Sequence, residues 1–297
     1  MRKNKKNKAA RPSVLPKILV IILILLLLSV AASFAVVFVA ARGPASDVSR
    51  MLCATMVEKG FPLTDVFFTT SEIRRAGTVG QGEFPDSVSS RDDYKRVSGE
   101  CEIISGKNWK GYMFEFAPGS TLTLRRPGEE PAGASVTLGI SSDCDAALLP
   151  GCLYYTVDIL ADTFQFFAMK PDGFCELKLM SAPEAVNSGY EWGISTVCVL
   201  VKNGSPATGL GGGYGTRAAI GQREDGSVLI FEAASTSIYP CGMTYGELAA
   251  VMFEYGATNA VALTPAGMLT YNGSVLINGK EAAGYSLAAV PAQSVSQ

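Results

Sequence analysis

A run of 24 residues without a charged side chain, residues 18–41, constrains this chain more than any other feature of its sequence. About 20 apolar residues are enough for a helix to cross the hydrocarbon core of a bilayer. The apolar region of a cleaved signal peptide is usually shorter, about 7 to 15 residues, although Ala40-Ala41 would suit cleavage. We therefore expect one retained transmembrane helix, with a cleaved signal peptide as the alternative.

Basic residues precede this apolar run and acidic residues follow it. Residues 1–17 hold seven of the 25 Lys and Arg residues, and the first acidic residue is Asp47. Lys and Arg are in excess on the cytoplasmic side of membrane helices. The sequence thus predicts a cytoplasmic tail over 1–17, a single span over 18–41 in the cell membrane, and an extracytoplasmic remainder.

The chain has no histidine, and its formal net charge is only -2. This balance excludes a strongly basic nucleic-acid-binding protein, so no nucleic acid is expected as a partner. Without histidine, Ser-His-Asp and Cys-His catalysis and His-ligated zinc are excluded, and acid–base chemistry is left to carboxylates, Lys, Tyr or Cys. No cofactor is predicted, although a bound divalent cation stays open.

Seven cysteines follow the apolar run, with wide spacings and no CxxC pair. An odd number of thiols without such a pair assigns neither a disulfide pattern nor a metal site. We expect several of them, such as Cys198 within an apolar run, to be small buried residues.

The remainder divides into a membrane-proximal part, 42–100, and a folded domain, 101–297. Apolar residues at helical spacing over 47–60 predict a juxtamembrane helix that stops at Gly60. The Gly-, Ser- and Asp-rich stretch 77–99 is typical of an exposed connection.

Strand signals dominate the folded domain. Three hairpins are predicted, with turns at 171–173, 224–226 and Asn272-Gly273. One helix begins at the capping box formed by Thr244 and Glu247, and a buried strand, 260–263, follows it. The pattern predicts an α+β domain that is mostly β with few helices, preceded by the transmembrane helix.

Four segments of the C-terminal half resemble the phosphodiester glycosidase family in order and spacing: 174–204, 217–230, 242–249 and 254–260. This family includes the mannose-6-phosphate uncovering enzyme and bacterial exopolysaccharide-associated proteins. The resemblance covers about residues 100–297. It implies an exported hydrolase that removes a sugar from a sugar-1-phosphodiester.

The family's NLDGG signature is degenerate here. The matching stretch begins at Ala262 in place of Asn, has Thr264 in place of Asp and Pro265-Ala266 in place of two glycines, and continues with Gly267. A second, INGG-type loop has no counterpart over 141–160, and the Arg that precedes the family's final strand is absent. A threonine cannot supply the charge of a carboxylate at neutral pH, so the resemblance predicts lost catalysis.

Arg217, which follows a glycine-rich run over 209–215, survives from the family pattern. It is predicted either to hold a phosphate group or to be a strand residue paired with an acidic group. We expect a membrane-anchored binding or envelope-assembly protein whose partners are a glycan or sugar phosphate, or an envelope protein. Two alternatives stay open: an active divergent hydrolase that uses Asp143, Asp145 or Asp158, and a structural protein that binds a partner through helix 47–60.

Overall fold

The structure is a computed structural model. The residues that it describes are 15–42, 46–58, 60–70, 72–73, 79, 82–85, 93–129, 131–149, 152–155, 163–235, 242–279 and 283–292.

Five helices lie in the described part of the chain. They are α1 (Leu15–Arg42), α2 (Ser46–Glu58), α3 (Thr64–Phe67), α4 (Ala182–Val186) and α5 (Tyr245–Glu254). Within α1, the most apolar 18-residue window of residues 19–42 has a mean hydropathy of 3.1, and no other part of the protein buries this window. By length and composition this helix can cross a membrane.

Seventeen strands are described. The first nine are β1 (Glu102–Ser105), β2 (Trp109–Phe116), β3 (Thr121–Arg125), β4 (Val136–Ser141), β5 (Ala146–Leu149), β6 (Cys152–Tyr155), β7 (Thr163–Met169), β8 (Cys175–Ser181) and β9 (Trp192–Ser195). The others are β10 (Cys198–Lys202), β11 (Ser205–Pro206), β12 (Arg217–Gln222), β13 (Val228–Ser235), β14 (Asn259–Leu263), β15 (Pro265–Tyr271), β16 (Ser274–Asn278) and β17 (Ala283–Val290).

The strands form three sheets. The large sheet has the order β1-β2-β13-β12-β14-β10-β11, the second sheet β16-β15-β4-β17-β3, and the third sheet β6-β5-β9-β7-β8. All the described pairings are antiparallel. The α+β, mostly β fold predicted from the sequence is confirmed.

The main core lies where the three sheets meet. The large sheet contributes Phe114 and Ile220, the second sheet contributes Leu138, and the third sheet contributes Phe167 and Ile194. Tyr112, Phe114 and Phe116 alternate along β2, so they share one face of the strand, and all three pack into this core.

A second core covers the other face of the large sheet. Its helical side is α5, which the capping box opens: the Thr244 hydroxyl accepts from the Glu247 N–H, and the Glu247 carboxylate accepts from the Thr244 N–H. Leu248 and Met252 of this helix are fully buried against the sheet. The helix predicted from the capping box is therefore confirmed, and it packs on the large sheet.

The three predicted hairpins are confirmed as β7–β8, β12–β13 and β15–β16. Asn272 and Gly273 have φ of 47° and 77°, and Asn203 and Gly204 have φ of 50° and 73°. Two successive positive φ values are what a two-residue hairpin turn of type I′ requires, so both Asn-Gly pairs serve as turns.

Gln222 links two of these hairpins. Its buried amide accepts from the Cys175 N–H at 2.7 Å and donates to the carbonyls of Gly173 and Gly226 at 2.9 and 3.1 Å. One side chain thereby satisfies three backbone groups; the bond to Gly226 is buried, and the other two are partly buried. The third sheet is held to the end of β12 by these bonds.

The exposed connection predicted over 77–99 differs from the structure over its last residues. Glu115 on β2 forms ion pairs with Arg96, at 2.6 Å, and with the buried Arg223. Both guanidinium groups lie over the Tyr94 ring. Burial raises the pKa of Glu115, but the hydrogen bonds from Arg223 and Arg96 lower it by more, so the pKa is lowered overall. Tyr94 and Val97 are therefore partly buried against the domain, whereas Asp93, Lys95 and Arg96 remain exposed.

Six of the seven cysteines lie in the described part of the chain, and these six are free thiols. Cys53, Cys144 and Cys198 are buried, as the prediction of small buried residues requires. Burial raises the pKa of the Cys144 and Cys198 thiols to about 12, so they remain protonated. Cys241 lies outside the described residues.

Candidate functional site

The stretch 262–267, which matches the family signature, carries the chain from the large sheet to the second sheet. Its first residues complete β14, Thr264 is the link, and Pro265 opens β15. The Thr264 carbonyl accepts from the Ser141 N–H at 2.9 Å, and Pro265 pairs with Ile140. The backbone of this stretch is thus bound within the protein.

The end of this stretch is tightly packed. Ala266 is buried, and Gly267 has a φ of 68°, a conformation that glycine adopts at little cost. Gly279 lies so close that a Cβ there would come within 2.5 Å of the Gly267 carbonyl oxygen, and the Gly279 N–H donates to that oxygen. Protein atoms therefore pack closely around Ala266 and Gly267.

Arg217 is the first residue of β12 and is only 3% exposed. Its guanidinium donates to the carbonyls of Gly213 and Thr216 at 2.7 and 3.1 Å and lies 4.0 Å from the ring centre of Tyr245. A buried cation of this kind is held by carbonyl dipoles and an aromatic face. The described contacts turn Arg217 into the core under α5 rather than toward a ligand.

Glu232 on β13 is a buried carboxyl that the sequence analysis missed. It is 0% exposed, and neither of its oxygens has a hydrogen-bond partner among the described residues. Burial raises its pKa to about 8, because a low-dielectric environment disfavours the charged form. The signal was present in the sequence, since Glu232 is the one charged residue between Val228 and Ala234.

Strand register places Arg217, Glu232 and Thr264 together at one end of the neighbouring strands β13, β12 and β14. We term this strand-end border of the large sheet the Arg217 edge. Ala218, the residue after Arg217, pairs with Glu232 on β13 and with Leu263 on β14, the residue before Thr264. Side chains alternate along a strand, so adjacent positions face opposite ways: Ala218 packs in the main core, whereas Ala219 packs under α5. Glu232 and Arg217 accordingly lie on opposite faces, and no catalytic pair results.

The aspartates predicted as replacement carboxylates do not join this edge. Asp143 and Asp145 are exposed in the turn between β4 and β5, and Asp158 lies outside the described residues. Among the residues that the structure describes, no group of three Cys, Asp or Glu residues could hold a metal ion.

Two surface depressions, of about 420 and 450 Å³, are described. Lys170 and Tyr190 line the first, and Thr208 and Phe253 line the second. Neither depression includes a residue of the edge that holds Arg217 and Thr264.

The glycine-rich run before Arg217 is covered by α2. The Tyr214 N–H donates to the Thr55 hydroxyl at 3.2 Å. A Cβ on Gly213 would lie 2.5 Å from the Thr55 backbone, so only glycine permits this approach. The juxtamembrane helix and the loop whose carbonyl binds Arg217 are therefore in direct contact.

Comparison with known proteins identifies the C-terminal half. The model of the phosphodiester glycosidase family matches residues 151–291. These residues form a phosphodiester glycosidase domain. The match contains Arg217, Glu232 and Thr264. The strands β1–β5 precede the matched residues, and they contribute to all three sheets. No curated protein matches the chain.

Three solved structures are similar to this phosphodiester glycosidase domain and the strands around it. The zebrafish N-acetylglucosamine-1-phosphodiester alpha-N-acetylglucosaminidase catalytic domain, auto-inhibited by its pro-peptide, is 12% identical, with a TM-score of 0.49, over 74% of this chain and 91% of that chain. A hypothetical protein from Synechocystis is 13% identical, with a TM-score of 0.41, over 64% and 61%. A protein from Burkholderia pseudomallei described as exported is 13% identical, with a TM-score of 0.40, over 62% and 74%.

Proposed function

We propose that this chain is a membrane-anchored, extracytoplasmic phosphodiester glycosidase-like protein that no longer hydrolyses its ligand and instead binds a glycan or sugar phosphate of the cell envelope. One observation carries this proposal: the signature stretch 262–267 has no ionisable side chain, and the sheets occupy its backbone and its space. Glycoside hydrolysis usually needs two carboxyl groups that flank the scissile bond.

Arg217 supports the same conclusion. Its guanidinium is buried against the Gly213 carbonyl and the Tyr245 ring, so its retention is explained by the stability of the domain. A phosphate ligand would have to displace these contacts before Arg217 could bind it bidentately.

The extracytoplasmic placement is supported by the charge pattern around α1. Seven basic residues precede the apolar helix, and the phosphodiester glycosidase domain follows it. An anchored domain is in turn suited to envelope assembly, because it remains at the membrane surface after its ligand leaves.

Glu232 favours a second candidate function, that of a divergent hydrolase. A general acid must be protonated near the working pH, and burial gives Glu232 a pKa of about 8. Its carboxyl lies on the face of the large sheet that points toward the second sheet, beside the end of β14. In this candidate, a rearrangement of the edge would open a path from Glu232 to the ligand.

The two candidates are separated by assaying the full chain in lipid nanodiscs against a panel of sugar-1-phosphodiesters, with and without Mg²⁺. We expect saturable binding of at least one panel member and no turnover. Turnover that disappears in Glu232→Gln, and persists in the matched control Glu224→Gln at an exposed turn position, would overturn the proposal and establish the hydrolase. Neither binding nor turnover from the folded protein would refute both.

A further inference from the structure

The helices α2 and α3 pack against one side of the last turns of α1. The rings of Phe34 and Phe67 are 4.9 Å apart. Val37 and Ala41 extend this contact into a cluster with Phe67 and Phe68. Phe34, Val37 and Ala41 follow the spacing of one helix face, so α2 and α3 cover that face from Phe34 almost to the end of α1.

The other faces of the same two turns are apolar and uncovered. Val36, Phe38 and Val39 are between 53% and 69% exposed. A helix segment with protein on one face and bare hydrocarbon side chains on the others is stable only where another apolar phase covers those faces. This level of α1 therefore lies in or beside the bilayer, and α2 and α3 lie at the same level.

The segment that leads from α2 into α3 exposes further apolar side chains. Phe61, Leu63 and Val66 are 47%, 39% and 55% exposed within six residues. Single exposed apolar residues are common on soluble surfaces. Three of them in one short segment, beside a helix that can span a membrane, form the apolar side of an interfacial element.

The length of α1 agrees with this level. From Ile18, the first residue after Lys17, to Val37 the helix has 20 residues, which at about 1.5 Å each cover about 30 Å, the thickness of the hydrocarbon core. From Val37 to Arg42 it rises about 8 Å more, into the interfacial region, and Phe34 lies one turn before Val37. The contact between Phe34 and Phe67 thus falls near the boundary between acyl chains and headgroups.

We propose that residues 46–58 and 60–68, which we term the membrane seat, lie in the outer interface of the bilayer, with Phe61, Leu63 and Val66 inserted among the lipids. The partner of this surface is the lipid bilayer itself. The inference rests on the proposed membrane anchoring, and it adds a second, peripheral contact to the span.

The membrane seat also fixes which end of the domain faces the lipid. On its opposite side α2 contacts the glycine-rich run through Thr55 and Tyr214, and the Gly213 carbonyl of that run binds Arg217. One helix diameter, about 10 Å, then separates α1 from this loop. The Arg217 edge of the phosphodiester glycosidase domain is therefore held toward the bilayer.

The test uses the full chain in nanodiscs of phosphatidylcholine, with a tryptophan added by Phe61→Trp. The native Trp109 and Trp192 are buried in the domain and supply a constant background. A lipid with a nitroxide near the carbonyl end of its acyl chain quenches only tryptophans at the interface. We expect the loss of most of the added emission.

Phe174→Trp is the matched control. Phe174 is 47% exposed, as Phe61 is. It lies near Gly226, in the turns beyond the C-terminal end of β12. That end, at Gln222, is about 17 Å along the strand from Arg217, so Phe174 lies far from the proposed membrane side. Its tryptophan should keep its emission. If the nitroxide lipid quenches the tryptophan at position 61 no more than the one at position 174, in protein that co-elutes with the nanodiscs, the membrane seat is overturned and the anchor still stands. Failure to co-elute would overturn the anchor and the membrane seat with it.

Discussion

The substitution Glu232→Gln should remove a pH dependence that one buried carboxyl imposes on the whole fold. Glu232 lies opposite Tyr112 and Ala218 in the large sheet and is fully buried. Burial raises its pKa from 4.5 to about 8. In the folded protein the carboxyl is therefore protonated at neutral pH, whereas in the unfolded chain it is ionised.

The sign of the effect follows from this difference. Below pH 4.5 the carboxyl is protonated in both states, so it gives the free energy of unfolding no pH dependence. Between pH 4.5 and about 8 the unfolded state gains stability by ionising, and the free energy of unfolding falls by about 1.4 kcal/mol for each step of one in pH. From pH 5 to pH 7 the expected loss is about 2 to 3 kcal/mol. Glutamine has nearly the same shape and does not ionise, so the variant should lack this loss.

The measurement is urea unfolding of the full chain in nanodiscs at pH 5 and pH 7, followed through the emission of the buried Trp192. The difference in unfolding free energy between Glu232→Gln and the native protein should shift by about 2 to 3 kcal/mol between the two pH values, in favour of the variant at pH 7. The exposed Glu224→Gln serves as the control and should follow the native protein. An infrared band of a protonated carboxyl at pH 7 should also vanish in Glu232→Gln. Parallel pH profiles for all three proteins would refute the assignment of a neutral, buried Glu232.

Three further predictions concern the scaffold and its orientation. Gln222→Leu should lower the free energy of unfolding by about 2 kcal/mol, because one buried and two partly buried backbone groups lose their partner; an unchanged urea midpoint would contradict the link between hairpins. Gly213→Ala should push α2 off the glycine-rich run and increase proteolysis within residues 46–58, whereas Gly246→Ala, whose Cβ meets no atom closer than 4.0 Å, should not. A membrane-impermeant maleimide should label the exposed Cys152 in intact cells. The part of the labelling that disappears in Cys152→Ser is the part due to this cysteine. Labelling of Cys152 only after lysis would reverse the predicted topology.

Local signals predicted much of the fold. The Asn272-Gly273 turn and the capping box at Thr244 depend on a few neighbouring residues, so the sequence contains the whole of their cause. The α1 helix likewise follows from its length and hydropathy. Each of these elements lies in the structure where its pattern predicted it.

Contacts between distant residues could not be predicted in this way. The approach of Gly213 to Thr55 joins positions 158 residues apart, and Arg96 reaches Glu115 from a stretch that has the composition of a linker. Glu232 stands in an apolar strand, but the strand pattern gives no reason for a carboxyl there. Such features depend on the packing of whole sheets, which periodicity does not report.

The substitutions in the signature stretch are themselves an argument for a scaffold that has been adapted rather than damaged. Pro265 is the first residue of β15, a position where a strand tolerates proline. Ala266 is small enough to be buried at the junction of two sheets, and the φ of Gly267 suits only glycine without strain. Each change that removes chemistry from the stretch also fits the local backbone. A damaged enzyme would be expected to keep incompatible residues beside a vacated site, whereas this stretch is well packed, which favours a domain maintained for binding at the membrane surface.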